Sequence, residues 1–494
     1  MKKQILSTLL ALLVLLPSCS ESGEAAKGDS AADGQGQQQG QSVSSDPVFE
    51  PETEAPETQV TDDLPELKFE KEFNMISPTL GHCTSFVFPE ELTGDNVNDA
   101  RYGMKLAVED RFGIALREER DSNWRLESVL KALVASGDTT YDIAFCMDNV
   151  APDHLPYARC LDDLPYLNLD KPYWDKGMND ASKIGGKTYF LCGAYHLSHY
   201  EMTHMITFGK GLAESLGLEN PYELVKNNAW TMDKLFEMGQ KATFDADGDG
   251  QWTEADSYGF VSTPKQVLPC FWIAFGERAI SQDEETLFAL NTSEPFYDTL
   301  YKTFSVMRDG GIWFVNSDGG NVYENLTEMF GDRRVLFADQ TFYFLSAFRD
   351  MDEEFGIIPF PKYTEEQAQY YSRVEGGSVA MIGMINMTDP EEVGAVMEAL
   401  AAYGYNNVVP EYYEVALKRK TSRDSDSEEM LDLIFAARTV DLGDTWWCGD
   451  IRDGFFNDCF QNDDRNFASA QKKLENIVKT TVKKIDKALQ NREP

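Results

Sequence analysis

The chain has 494 residues, 42% of them hydrophobic and 12% aromatic, and a formal net charge of -40. That acidity excludes nucleic acid as a partner, because a phosphate backbone needs a basic face, and it argues against the body lying flat on anionic lipid. No apolar stretch beyond the N-terminus is long enough to span a bilayer, so the body is expected to stay outside one.

The first predicted element is a leader. Lys2 and Lys3 give a positive start, Ile5 to Leu16 a short apolar run, and Leu16-Pro17-Ser18-Cys19 a cleavage site with a small residue before the cysteine. Residues 1–19 therefore read as a lipoprotein signal, with Cys19 lipidated and the chain anchored to the outer face of a bacterial membrane. A plain secretory signal with a chance cysteine is the alternative, and Pro17 is unusual at its place. Residues 20–65 are Gly, Gln, Ser, Glu and Pro with few large apolar side chains, a composition expected to form a disordered linker.

The remaining chain is too long for one hydrophobic core and suits two lobes. A helix is predicted after Asn98, with Met104, Val108 and Phe112 on one face and Gly113 as its cap. Ile114 to Leu116 then reads as a strand, Leu126 to Leu133 as a helix stopped by Gly137, and Tyr141 to Cys146 as a strand. This alternation predicts a largely parallel α/β sheet. Strands are further expected at Ile184–Cys192, Met202–Phe208 and Val379–Ile385, and helices at Ala229–Met238 and after the capping Thr388-Asp389-Pro390. An amphipathic helix through Leu474, Val478, Val482, Ile485 and Leu489 ends the chain. Eight cysteines leave seven beside Cys19, an odd number, so this is no disulfide framework; Cys448 and Cys459 are the best candidate pair, with the reduced state equally open.

Several segments together resemble the extracellular solute-binding proteins of ABC importers, the carbohydrate-binding lipoprotein family that includes maltose-binding protein. They are Gly137-Asp138-Thr139-Thr140-Tyr141-Asp142-Ile143, Leu161-Asp162-Asp163-Leu164-Pro165-Tyr166 with Lys171-Pro172-Tyr173-Trp174, Gly186-Lys187-Thr188-Tyr189, Asn220 to Val225 with Trp230-Thr231, and Phe355-Gly356-Ile357-Ile358-Pro359-Phe360-Pro361-Lys362. Gly209-Lys210 departs from the Asn-Lys of many relatives. The resemblance implies two α/β lobes on a hinge, with ligand held in the cleft between them, an ABC permease as partner and a monomeric, non-enzymatic receptor. The chain would cross between lobes near Cys192–Tyr195, Phe337–Gln340 and Leu400–Gly404. Lobe 1 would hold residues 66–192 and 340–400, and lobe 2 residues 193–339 and 401–494.

A sugar site needs flat apolar platforms rimmed by hydrogen-bonding groups. Trp446 and Trp447 are the leading platform candidates, with Trp272, Phe275, Trp313, Tyr195 and Tyr343 behind them. By analogy with the family's cleft loops, polar contacts would come from His82, Thr84, Asp148, Asn149, Asp339, Gln340 and Glu375, with Gly376 and Gly377 beside them. A surface enzyme acting on glycans, and a receptor of the same fold for a peptide or other solute, remain as alternatives.

A separate motif runs from Asp245 to Asp256. Asp245, Asp247 and Asp249 stand at positions 1, 3 and 5, Gly250 at 6, Gln251 at 7 and Asp256 at 12, the pattern of a Ca²⁺ loop in which Gln251 gives its carbonyl. Asp256 stands where a longer Glu is usual. No second helix follows, so a lone structural calcium site is expected.

Overall fold

A computed structural model describes residues 59–283, 286–315, 322–348, 351, 353–413 and 425–490. Cys19, the leader and the linker up to residue 58 lie outside them. The elements that position the site are, in chain order, β1 (Glu72–Pro78), α1 (Asn96–Phe112), β2 (Ala115–Asp121), α2 (Glu127–Ser136), β3 (Ile143–Met147), β4 (His204–Gly209), α3 (Met232–Ala242), β5 (Tyr258–Ser262), α4 (Pro264–Ala274), β6 (Trp313–Val315), β7 (Val335–Thr341), β8 (Phe355–Ile358), β9 (Val379–Gly383), α5 (Pro390–Tyr403) and α6 (Gln471–Gln490).

They build two mixed sheets, a four-stranded one in the order β9-β3-β1-β2 and a five-stranded one in the order β8-β4-β7-β5-β6. In the first, β1 runs parallel to β2 and β3, as the alternating pattern predicts, while β9 returns antiparallel, Val379 opposite Met147. The second is less parallel than expected, because β4 pairs antiparallel with both β7 and β8. β3, β4, β8 and β9 are buried along their whole length, as strands covered on both faces must be.

Local sequence explains the helix ends. Asp95 caps α1 by accepting the Asn98 amide, and Gly113 closes it in the left-handed region at φ 69°, which costs a residue without Cβ little. Buried Met104, Val108 and Phe112 recur at helical spacing on one face. Asp389 caps α5 with Pro390 in its first turn. Two segments that resemble the importer proteins hold each other: the Trp230 indole donates to Pro359 O at 2.9 Å, and Thr231 pairs with Lys362. Glu398, fully buried on α5, accepts from Tyr173 Oη and, at 3.1 Å, from Trp174 Nε1.

Several expected boundaries move. Phe355–Ile358, assigned to the first lobe, is an edge strand of the second sheet. Phe337–Gln340 lies inside β7, so the chain returns at Val374–Ser378 instead, beside the outgoing strand where Thr203 pairs with Val374. The helix Val409–Tyr412 still packs on α1, past the crossing expected at Leu400–Gly404, and Ser425–Ala436 packs on β8. The predicted linker ends early: Val60 exchanges two hydrogen bonds with Asn406, 3.0 and 2.8 Å, and Thr61 O accepts from Lys171. Ile184–Cys192 forms isolated bridges, not a strand. All seven described cysteines, Cys448 and Cys459 included, are free.

Candidate functional site

Side chains from both sheets line a cavity of about 430 Å³. Met147 ends β3, Val261 and Ser262 end β5, and Asp339, Gln340 and Thr341 end β7. His204 opens β4 antiparallel to β7, and Glu375 and Gly376 precede β9 antiparallel to β3, which brings them to the same ends. The carboxyl ends of strands are where α/β sheets place ligands, because loops there are free to vary while the scaffold holds them.

The lining includes apolar side chains, Met147, Met202, Val261, Leu326 and Phe344. It also carries hydrogen-bonding groups without protein partners among the described residues. Gln340 is 2% exposed, yet neither its amide nitrogen nor its oxygen has a partner among the described residues, and the same holds for Thr341 Oγ1, Asn149 Oδ1 and Thr263 Oγ1. Buried polar groups left unpaired are costly, on the order of 1–3 kcal/mol each, and in native proteins they need a reason.

Beneath them lies a charged floor. Arg373, fully buried, forks onto Asp444, and its Nη1 lies 2.8 Å from His204 Nε2 and 2.5 Å from Gln266 Oε1. Burial disfavours the charged guanidinium, but the Asp444 carboxylate holds the proton affinity of Arg373 well above the ordinary value. His204 Nδ1 lies 2.6 Å from Asp339 Oδ1 and its Nε2 3.4 Å from Glu375 Oε2; burial disfavours the charged ring, but Cys270 and Asp339 raise its proton affinity well above the ordinary value. Asp339 also accepts from Ser262 Oγ at 2.9 Å, and Gln266 Nε2 donates to Glu375 Oε1 at 2.8 Å. The side chains that line the cleft are thus braced by a second row behind them.

Six of the polar candidates, His82, Asn149, Asp339, Gln340, Glu375 and Gly376, line this cavity. Asp148 and Gly377 stand just behind it: Asp148 Oδ1 accepts the Gly377 amide at 2.7 Å, while the Gly377 carbonyl lies 3.2 Å from His82 Nε2. Burial pushes the Asp148 carboxyl up to about 7. Thr84 is turned aside onto Glu201, with two bonds of 2.7 Å.

The aromatic candidates are corrected by their packing. Trp447 is 2% exposed and Trp446 9%, and both sit edge-on to Phe288 in the core. Trp272 is fully buried and donates to Asp441 at 2.8 Å, Tyr195 donates to Leu191 O at 2.5 Å, and Phe275 packs on Phe271 and Tyr363. Trp313 lies against Phe460 with its indole on Ser262 O at 3.3 Å. Tyr343 is half-buried beside Phe344, and it is Phe344 that reaches the cavity. Gln266, Arg373 and Arg452 were not singled out from sequence. Gln266 meets Glu375 and Arg373 meets Asp444, 109 and 71 residues away, beyond any local pattern.

The acidic loop sits apart from the cavity lining. Carboxylate oxygens of Asp245, Asp247 and Asp256 lie within 4.8 Å of one another, a donor set that fits a hard cation. Gly248 and Gly250 turn the loop at φ 76° and 78°. Asp256 is fully buried and accepts the Ala246 and Thr253 amides at 2.9 and 2.8 Å. Asp249 is outside that group and accepts from Gln251 N at 2.6 Å.

No protein-family model and no curated protein matches the chain. Solved structures do. A cyclic α-maltosyl-1,6-maltose binding protein from Arthrobacter globiformis aligns with a TM-score of 0.56 at 13% identity, covering 83% of this chain and 99% of that one. UspC from M. tuberculosis aligns at 0.55 and 12% identity, covering 83% and 100%. An ABC substrate-binding protein from Listeria monocytogenes, in complex with cycloalternan, aligns at 0.50 and 13% identity, covering 85% and 100%. The fold is that of the two-lobed solute-binding proteins. The cavity lies between the two sheets, with the adjacent crossings at Thr203 and Val374 paired to each other.

Proposed function

We propose that the chain is the capture component of an ABC importer, binding a sugar or short oligosaccharide in the cleft and passing it to a permease. The observation that carries this reading is the presence in one lining of apolar side chains and the orphaned groups of Gln340, Thr341, Asn149 and Thr263. A sugar ring offers C–H faces to the first and vicinal hydroxyls to the second, and uncharged amides and hydroxyls can both donate and accept. A cavity of about 430 Å³ falls in the small-molecule range. Structural neighbours that bind cyclic maltosyl-maltose and cycloalternan support the choice of sugar over peptide.

Binding without turnover fits the acids of the cleft. Asp339 is engaged by His204 and Ser262, and Glu375 by Gln266, so both carboxylates serve as braces. The leader sequence and Cys19 support a location on the outer face of a membrane, held by lipid. We assign a structural calcium ion to Asp245, Asp247 and Asp256, with the Gln251 carbonyl as a further ligand; it would lock the loop between α3 and β5.

The deciding experiment incubates purified protein with a panel of mono- and oligosaccharides, following melting temperature and reaction products together. A sugar-specific rise without products is expected, since a ligand bound only by the native state stabilises it by mass action. New products would favour the glycan-active enzyme, and a response to peptides alone would remove the sugar reading.

A further inference from the structure

Helix α6 carries six lysines, Lys472, Lys473, Lys479, Lys483, Lys484 and Lys487, against two acids, Glu475 and Asp486, in a chain of net charge -40. Its apolar residues Leu474, Val478, Val482, Ile485 and Ala488 are buried, and all six lysines are exposed. At 3.6 residues per turn, the lysines fall within roughly 140° of arc, centred opposite the buried face. Glu475 and Asp486 stand at one flank of that arc and not within it.

Elsewhere on this acidic body many cations meet carboxylates at close range. Lys226 bridges Asp426 and Glu429, Lys234 bridges Glu219 and Glu237, and Arg465 bridges Asp309 and Asp463. On α6, among the described residues, only Lys479 approaches an acid, Glu475 at 3.9 Å. The stripe is therefore a local field of one sign, against the charge of the whole.

We propose that the lysine face of α6 docks the body onto an anionic phospholipid surface. Net charge opposes adsorption of the whole body, but fields are screened over about 8 Å at physiological salt. A bilayer laid against α6 thus meets a cationic stripe about 22 Å long before it meets the distant acids. Lysines clustered on an amphipathic helix are the ordinary means of holding anionic headgroups. The apolar run Ile5–Leu16 and Cys19, which lie outside the described residues, supply an independent pointer to a membrane as the neighbour. Docking is independent of the sugar reading, because α6 contributes nothing to the cleft lining.

The test uses the full chain with Cys19→Ala, so that no lipid is attached, floated with vesicles of phosphatidylcholine alone or with about 30% phosphatidylglycerol at about 50 mM salt. Flotation with the anionic vesicles only is expected, and its loss at about 0.5 M salt. The combined Lys473→Gln, Lys483→Gln and Lys487→Gln variant should bind at least about tenfold more weakly, with an unchanged melting temperature, and Lys→Arg at the same positions should keep binding. Equal flotation with both vesicle types, which the apolar leader alone would give, overturns the proposal. So does full binding by the glutamine variant, or capture of soluble polyphosphate without vesicle binding.

Discussion

Arg373 lays its guanidinium fork on the carboxylate of Asp444, Nε to Oδ2 at 2.7 Å and Nη2 to Oδ1 at 2.8 Å, with both side chains fully buried. Removing one partner leaves the other as an uncompensated buried charge. Asp444→Leu should therefore cost about 3–5 kcal/mol, seen in denaturant unfolding, while Arg373→Met with Asp444→Leu should recover much of the loss. A double variant no better than the single one would show that the neighbours Arg452 and Gln266, not the pair, carry the effect.

Gln340 is expected to trade stability for binding. Its amide is buried without a partner among the described residues, so Gln340→Leu should leave the melting temperature of the empty protein unchanged or raised. The same variant should lose the sugar-induced rise. A variant that destabilises the empty protein yet keeps the response would place the ligand elsewhere.

Asp148 gives a pH signature. Its folded carboxyl titrates near 7, through burial first, so the folded state holds the proton more tightly than the unfolded chain does. The penalty is absent below the unfolded value of about 3.9, grows as pH rises, and is complete above the folded value. Asp148→Asn should flatten this slope and stabilise the protein by about 1 kcal/mol or more at high pH, fading toward acid. The asparagine oxygen can still accept the Gly377 amide. Parallel stability curves for the two proteins would contradict the assignment.

Calcium should raise the melting temperature and chelator should lower it. Asp247→Ala should abolish the difference while barely moving the metal-free protein, because Asp247 is exposed. Asp256→Ala should weaken both states, since its carboxylate also ties two backbone amides. Trp252, 58% exposed within the loop, offers a check through sensitised terbium emission. No emission and no metal response would leave an acidic turn.

Trp447→Ala should act on folding, not affinity. Truncating a buried tryptophan costs about 3–5 kcal/mol, and the side chain does not line the cleft. A stable variant with weakened sugar binding would restore the platform role expected from sequence.

How much was legible follows from what each signal reports. Gly113, the Asp389-Pro390 pair and the spaced apolar residues of α6 mark helices because caps and periodicity are local facts. The polar residues of the cavity were expected from the resemblance to the importer proteins, and six of them line it. Composition cannot separate a sugar platform from a core tryptophan, and Trp272, Trp446 and Trp447 proved to be core. Ile184–Cys192 has the apolar content of a strand, but Gly185 and Gly186 turn it at positive φ, so its apolar side chains fill the core without a ladder. Arg373 and Asp444 gave no local signal, because their meaning lies in a contact between distant segments.

The antiparallel seat of β9 against β3, Val379 opposite Met147 and Gly383 opposite Ile143, joins strands separated in the chain by the whole of the second sheet. A polypeptide made from its N-terminus must hold β3 with one bare edge until β9 arrives. Such an edge is a template for pairing with other chains, and distant pairings form slowly. The lobe whose synthesis begins first therefore cannot be completed until the whole of the second sheet has been made.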